Sequence, residues 1–217
     1  MVQVTEAKDR TRERISRSGV DKFTERRAQL AESALQTLAE LGYARTSLRE
    51  IAQNSEFSHG VLHYYFADKV DLLTHCVRRF EEVCVTRYDE LVARARTADE
   101  LERDFAAAMA GTLRADAKMH RLWYDLRNQS LFEESFRADV LEIDRRREEM
   151  IWHVVARYAE LAAAPADVPA PVAYALFDGL FQQSLLRYLA GPEELAEAVA
   201  DELERDVPAV MARVVAR

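Results

Sequence analysis

Apolar residues recur every three or four positions along most of this chain, and that spacing is typical of amphipathic helices. A first helix is predicted from Lys22 to Leu41, and its apolar face consists of Leu30, Ala34, Leu38 and Leu41. Gly42 follows directly, and glycine is a common residue at a helix end. The strict alternation that marks half-buried strands is not found in the sequence. The pattern therefore predicts an all-α fold.

Two short helices are predicted after the first, joined by a tight turn. Ser47 and Glu50 have the spacing of a capping box, in which side chains satisfy the first backbone N–H groups of a helix. The second short helix can begin at Ser58, a residue type favoured at helix starts. Between them, Asn54–Glu56 consists of residues that favour turns and caps. With a third helix starting at Asp68, this order suits a compact three-helix subdomain.

The second short helix has two different sides. Its apolar side would pack inward and consists of Leu62, Tyr65 and Phe66. The opposite side is small and shallow, has two side chains that can donate hydrogen bonds, and consists of Gly60, Val61, His63 and Tyr64. A DNA major groove admits such a helix, because no bulky group obstructs it and its polar tips reach base edges. A three-helix subdomain that binds nothing would show the same periodicity, so the pattern alone leaves both interpretations open.

Over Lys22–Leu73 the sequence resembles the DNA-binding module of the tetracycline-repressor (TetR) family. The matching order is T-S-x-x-x-I-A, a turn, S-x-G-x-L-x-Y-Y-F and D-K-x-x-L, all in one register. The sequence departs from the family at Glu56, where glycine is usual, and at His63, where tyrosine is common. The DNA contacts that the resemblance implies are Thr46, Ser58, His59, Gly60, Val61, His63, Tyr64 and Lys69. Lys69 would meet a phosphate at the start of the next helix.

Helical periodicity continues through the rest of the chain. The further helices are predicted from Asp68 to about Arg94, from Thr97 to beyond Leu113, from Lys118 to about Ser130, from Phe136 to about Ala163, and over residues 172–190 and 193–215. Pro208 should kink or interrupt the last of them. We expect a flexible basic arm over residues 1–21, a helix-turn-helix DNA-binding domain over 22–70, and a larger helical domain over 71–217. The resemblance implies that the larger domain binds a ligand and dimerises.

The helix over residues 172–190 is apolar nearly all round. A helix of this kind must be buried on every side. We therefore expect it to pack both against its own domain and against a second copy of the chain, with Gly179 allowing close approach. The resemblance also implies a homodimer formed through the last two long helices.

Charge is distributed unevenly. The net charge is −8, yet residues 1–70 carry 11 Lys or Arg against 10 Asp or Glu. The basic side chains of the arm could contact phosphates or a minor groove, or form a solubilising tail that binds nothing. The apolar runs are shorter than the roughly 20 residues that span a bilayer, and the N-terminus lacks the apolar centre of a signal peptide. We expect a cytoplasmic protein with no membrane partner.

Aromatic and other large residues of the second domain are candidates for lining a ligand pocket, with a few polar groups among them. They are Phe105, Met109, Trp123, Tyr124, Asn128, Trp152, Tyr174, Phe177 and Phe181. Each of them, taken alone, belongs more often to ordinary core. His120 and His153 are interpreted as structural or surface histidines, because neither has a partner at metal-ligand spacing. Arg145–Arg147 is interpreted as a solvated helix face.

The sequence contains no P-loop, dinucleotide fingerprint, nucleophile elbow or zinc motif. We therefore expect neither enzymatic activity nor a metal or cofactor. Cys76 and Cys84 lie two helical turns apart, too far for a disulfide, and are interpreted as reduced core or interface thiols.

These patterns together predict a DNA-binding transcriptional regulator. It would be a homodimeric repressor of a double-stranded, pseudo-palindromic operator, released by a small apolar effector. The alternatives are a DNA-binding protein without ligand control or a helical interaction protein, and less readily a helical enzyme. Salt-sensitive binding to a palindromic duplex would distinguish the regulator from an interaction protein or an enzyme.

Overall fold

The computed structural model describes residues 2–42 and 46–216, and the side chains among them except those of residues 2–21 and 193. The chain forms two compact units, Met1–Cys76 and Val77–Arg217, which we call the head and the body. All regular elements of the described residues are α-helices, and one isolated bridge pairs Ala166 with Val215. The all-α fold with an N-terminal helix-turn-helix is confirmed.

The head contains α1 (Val2–Leu41), α2 (Leu48–Gln53), α3 (His59–Tyr65) and the first part of α4 (Lys69–Cys84). The sequence placed the start of the first helix at Lys22, whereas α1 begins at Val2. The side chains of residues 1–21 lie outside the described residues, so the DNA-contacting arm stays a prediction.

In the head, α1 ends and α2 and α3 begin at the capping residues that the sequence predicted. Gly42 follows α1 with φ 77°, a left-handed conformation that glycine adopts readily. The Ser47 hydroxyl accepts the backbone N–H of Glu50 at 3.2 Å. The Ser58 hydroxyl accepts that of Val61 at 3.3 Å. These caps fix where α2 and α3 start.

The head core is formed by one apolar face from each helix. Its fully buried members include Leu30, Leu38, Ile51, Leu62, Phe66 and Leu72. Leu41 was expected on the same face as Leu30 and Leu38, but it is 38% exposed because it is the last residue of α1. The underside of α3 is therefore held by its neighbours, as a helix of two turns requires.

The body contains α5 (Asp89–Arg94), α6 (Ala98–Gln129), α7 (Arg137–Ala162), α8 (Ala170–Ala190) and α9 (Glu193–Val214), together with the second part of α4. α6 packs against α7, α8 and α9, and α8 packs against both α7 and α9. This arrangement places the body core between α6 and the last three helices.

Two helix boundaries differ from those expected. α4 ends at Cys84 and does not continue to Arg94, and the Thr86 hydroxyl there donates to the carbonyl of Val83, a local bond that competes with helix propagation. The helices expected before and after Asp116 are one element, α6, with non-helical φ/ψ of −121° and 18° at Asp116. The structure therefore has a kink at Asp116 where the sequence predicted a break between two helices.

Pro208 does not interrupt the last helix. α9 extends from Glu193 to Val214 with Pro208 inside it. Among the described residues, no helix is long and apolar enough to cross a membrane.

Candidate functional site

The outer side of α3 is an exposed surface formed by His59, Gly60, His63 and Tyr64, which we call the α3 face. Tyr64 is 74% exposed. The Nε2 atoms of His59 and His63 lie 3.1 Å apart on successive turns, so the two rings form one polar cluster. The α3 face can therefore present hydrogen-bonding groups to a partner.

Gly60 leaves the α3 face open at its centre. A Cβ added to this glycine would meet no atom of the protein within 4 Å. The absence of a side chain is therefore not required by packing within the protein. It does allow a partner to approach the backbone of α3 closely.

Three of the expected contact residues lie at the margin of this face. Ser58 is exposed, but its hydroxyl already caps α3. Val61 is half-buried, and Lys69 is half-buried at the first position of α4.

Thr46 lies apart from the α3 face. It is 3% exposed, and its hydroxyl donates to the carbonyl of Gly42. Its side chain is therefore engaged within the protein, which leaves the backbone for any contact with DNA.

Contacts beneath the α3 face hold α3 against α1 and α4. The Arg27 guanidinium lies 4.9 Å from the ring centroid of Phe66 and also forms an ion pair with Asp71. The ring of Phe23 lies 4.8 Å from that of Tyr65. These contacts tie the C-terminal end of the short helix to α1, so the α3 face is presented on a supported scaffold.

The body contains an inner cavity of about 50 Å³. Its walls combine aromatic and methionine side chains with charged groups, and they are formed by Cys84, Arg87, Tyr88, Met109, Thr112, His120, Tyr124, Arg147, Met150, Ile151, Tyr174, Phe177, Asp178 and Phe181. Five of the residues expected to line a pocket are therefore brought together: Met109, Tyr124, Tyr174, Phe177 and Phe181.

The other four expected lining residues lie elsewhere. Phe105 and Trp123 are buried core residues, and Phe105 packs edge-on against Phe177 at 5.4 Å between centroids. Trp152 is half-buried and does not line the cavity, and Asn128 lines a separate outer cleft.

His120 is the least satisfied polar group of the cavity wall. It is 6% exposed, and neither ring nitrogen has a hydrogen-bond partner among the described residues. Burial, followed by the positive charges of Arg147 and Arg87, lowers the pKa of His120 well below its usual 6.5. The imidazole is therefore neutral.

Arg147 corrects the interpretation of Arg145–Arg147 as a solvated face. It is 6% exposed, and its guanidinium donates two hydrogen bonds to Glu81, a fully buried residue of α4. The guanidinium also lies 4.6 Å from the ring centroid of Trp123. A buried charge is tolerated here because the carboxylate of Glu81 neutralises it and the face of the Trp123 ring attracts it.

The inner cavity and a larger outer cleft share three lining side chains. Tyr124, Tyr174 and Asp178 line both spaces, and the cleft measures about 570 Å³. The Tyr124 hydroxyl donates to Asp178 at 2.8 Å, and the Tyr174 hydroxyl donates to Asp144 at 2.7 Å. Arg127 bonds both carboxylates. We call this hydrogen-bonded layer the partition.

The polar wall residues were not predicted from the sequence, because the pocket candidates were mainly aromatic residues. Their positions along the helices could have indicated them. Arg147 lies four residues from both Ile143 and Ile151, on the buried stripe of α7. Asp178 is likewise a single acid within an apolar helix. A charged residue inside a buried stripe needs a partner or a role, and each of these has a partner.

Comparison with known proteins agrees with this geometry. Residues 30–76 match the family described as "Bacterial regulatory proteins, tetR family". The chain is 28% identical over 164 residues to the HTH-type transcriptional regulator BetI of Paraburkholderia phymatum, covering 74% of this chain and 82% of that protein. It is 28% identical over 148 residues to the HTH-type transcriptional repressor KstR2 of Mycobacterium tuberculosis, covering 55% of this chain and 72% of the relative.

A solved structure has the same fold. The putative transcriptional regulator from Saccharomonospora viridis, in complex with choline, superposes with a TM-score of 0.69 at 19% identity, over 89% of this chain and 100% of that chain. The helix-turn-helix that α2 and α3 form lies within the matched residues 30–76. Residues 30–76 of this chain therefore match the TetR family, and the chain over most of its length is similar to HTH-type transcriptional regulators.

Proposed function

We propose that the protein is a homodimeric repressor that inserts the α3 face into the major groove of a pseudo-palindromic operator and leaves the DNA when a small ligand binds its body. The observation that carries the proposal is the α3 face itself, which is capped at Ser58, buried beneath at Leu62 and open at Gly60. A helix with a fixed underside and an unobstructed outer side is suited to groove insertion.

Dimerisation is supported by apolar side chains that the single chain leaves exposed on α8. Val172, Leu176 and Leu186 are 43%, 41% and 71% exposed and recur at intervals that place them on one side of the helix. A second copy related by a two-fold axis would bury this side. The two α3 helices of such a dimer would meet half-sites about 34–36 Å apart.

Ligand control is supported by the cavity and cleft of the body. α4 begins in the head, and its last residue, Cys84, lines the inner cavity. A ligand that displaces the cavity wall therefore acts directly on a helix shared with the DNA-binding unit. Reversing operator occupancy from mostly bound to mostly free needs about 5.5 kcal/mol of differential affinity between two conformations.

The relatives are transcriptional regulators, and we place this protein among regulators rather than enzymes. We further propose that it acts in the cytoplasm, where its operator is accessible. The structurally similar putative regulator solved with choline supports control by a small molecule without identifying the effector of this chain.

The proposal is tested by fluorescence anisotropy with a set of palindromic duplexes selected from a random library. The wild-type protein should select one duplex, bind it as a dimer in sedimentation analysis, and lose affinity steeply with salt. Tyr64→Ala should weaken that binding, whereas Leu186→Glu should yield monomers that bind poorly. A protein that selects no duplex, or that binds it as a monomer, contradicts the proposal.

A further inference from the structure

We propose that the effector is a mainly apolar molecule carrying a carbonyl or carboxylate oxygen, and that this oxygen accepts a hydrogen bond from His120 in the inner cavity. The inference deepens the proposed function, since it assumes that the cavity is the effector site.

The unsatisfied imidazole is the first observation. Buried polar side chains in native proteins nearly always have a hydrogen-bond partner. His120 lines the cavity, is 6% exposed, and has no such partner at either ring nitrogen among the described residues. Its ring is instead held by aromatic contacts, at 4.7 Å from Phe181 and 6.1 Å from Phe80 between centroids. The geometry keeps the ring in place while leaving its polar atoms for a bound molecule.

The charged side chains around the cavity favour one kind of ligand group over another. Arg87 and Arg147 both line the cavity, and their charges contribute to the lowered pKa of His120. A neutral imidazole donates from one nitrogen, and a carbonyl or carboxylate oxygen is a complementary acceptor. A cation at the same place would be repelled.

The acidic groups near the cavity are already paired, and Asp116 forms an ion pair with Arg87 at 2.7 Å. Asp178 also lines the cavity, but its carboxylate accepts hydrogen bonds from Tyr124 and Arg127. Glu81 is engaged by the guanidinium of Arg147. An ammonium ligand would therefore have to compete with existing partners for either carboxylate.

The sizes of the two spaces suit a molecule with a small polar end. The inner cavity of about 50 Å³ accommodates a carbonyl or carboxylate with its neighbouring carbons. The remainder would displace the partition and extend into the cleft of about 570 Å³. Met109 and Met150 in the cavity wall are flexible side chains that can adapt to its shape.

The test uses four probes that share one ring and differ in their polar group: cyclohexanone, cyclohexanecarboxylate, cyclohexylammonium and methylcyclohexane. Binding to the full-length protein is measured by calorimetry, and the ring signals of His120 are followed by NMR. The ketone and the carboxylate should bind on the order of tenfold more tightly than methylcyclohexane and shift the His120 signals, because each gains a hydrogen bond. Cyclohexylammonium should bind least.

Two variants assign the preference to His120. His120→Leu should remove the advantage of the ketone over methylcyclohexane, while His120→Asn, which keeps a donor, should restore part of it. His153→Leu, at an exposed histidine of α7, is the matched control and should behave as wild type.

Three results would overturn the inference: no probe binds, the ammonium binds as tightly as the ketone, or the ketone preference persists in His120→Leu. Operator binding measured on the same samples shows whether a negative result contradicts the ligand class or the repressor function. A protein that binds its operator while rejecting the oxygen-bearing probes contradicts the ligand class alone. A protein that shows the His120 pattern without binding any operator contradicts the repressor function and retains the ligand class.

Discussion

The guanidinium of Arg147 donates to both carboxylate oxygens of Glu81, with 2.8 Å between Nε and Oε2. This buried pair joins α7 to the part of α4 that belongs to the body. Because Arg147 also lines the inner cavity, the same side chain borders the cavity and anchors the helix that begins in the head. The stability of the body and any response to ligand therefore involve the same contact.

Glu81→Gln should destabilise the protein by about 3–5 kcal/mol, because it leaves the Arg147 charge buried without its carboxylate. Urea unfolding monitored by circular dichroism measures the loss. Arg145→Gln, which removes ion pairs on the exposed side of the same helix, is the control and should leave the unfolding midpoint nearly unchanged. Equal effects of the two substitutions would show that the buried pair is not specifically stabilising.

Gly60→Ala should separate folding from DNA binding. An alanine Cβ meets nothing within 4 Å, so the protein should gain about 0.5–1 kcal/mol of stability from the lower backbone entropy of the unfolded chain. Operator affinity should fall, since the methyl group occupies the open centre of the α3 face. Thermal unfolding and fluorescence anisotropy on one preparation provide both measurements. A stabilised variant with unchanged affinity would exclude close approach of DNA at Gly60.

Lys69→Ala should weaken binding to all duplexes to a similar extent and lower the slope of log affinity against log salt by about one, as expected for the loss of one phosphate contact. Titrations at several salt concentrations, with the selected operator and with an unrelated duplex, test this. Lys118→Ala, an exposed lysine of α6, serves as the control. An unchanged slope for Lys69→Ala would remove this residue from the set of phosphate contacts.

The lowered pKa of His120 predicts a loss of stability in mild acid. Below about pH 6.5 the unfolded chain takes up a proton that the folded protein does not bind at His120, so the free energy of unfolding decreases as the pH falls. The contribution is at most about 1.4 kcal/mol for each pH unit. Unfolding measured from neutral pH to about pH 5 should therefore show a steeper decline for wild type than for His120→Leu. Parallel curves would contradict a neutral buried histidine.

Cys84 should be unreactive in the folded protein although it lines the cavity. Burial, followed by the nearby carboxylate of Glu81, raises the pKa of its thiol to about 12, so that at pH 8 on the order of one molecule in ten thousand carries the reactive thiolate. Burial also raises the pKa of Cys76, whose thiol donates to the carbonyl of Ala31. Mass spectrometry after iodoacetamide treatment should find both cysteines labelled only in urea. Rapid labelling of Cys84 in the native protein would indicate a stabilised thiolate.

The head was predicted more completely than the body because its caps and apolar positions are local. Ser47, Ser58 and Leu62 have the roles that their spacing indicated, since capping and helix faces depend on residues within one or two turns. Thr46 was placed by resemblance, and the burial of its side chain depends on tertiary packing that spacing does not describe.

The inner cavity depends on residues that are distant in the sequence, which explains why its polar wall was missed. Arg147 meets Glu81 across 66 positions, and Tyr124 meets Asp178 across 54. No periodicity within one helix encodes such a pairing. The aromatic residues were easier to predict, since apolar side chains at helical spacing are buried wherever the helices meet.

The partition has a consequence for the timing of a response. A molecule that passed from the outer cleft to His120 would have to break the Tyr124–Asp178 and Tyr174–Asp144 hydrogen bonds. Uptake and release by this route would be limited by the rearrangement of these side chains. A regulator with such a barrier would respond to its effector more slowly than one with an open pocket.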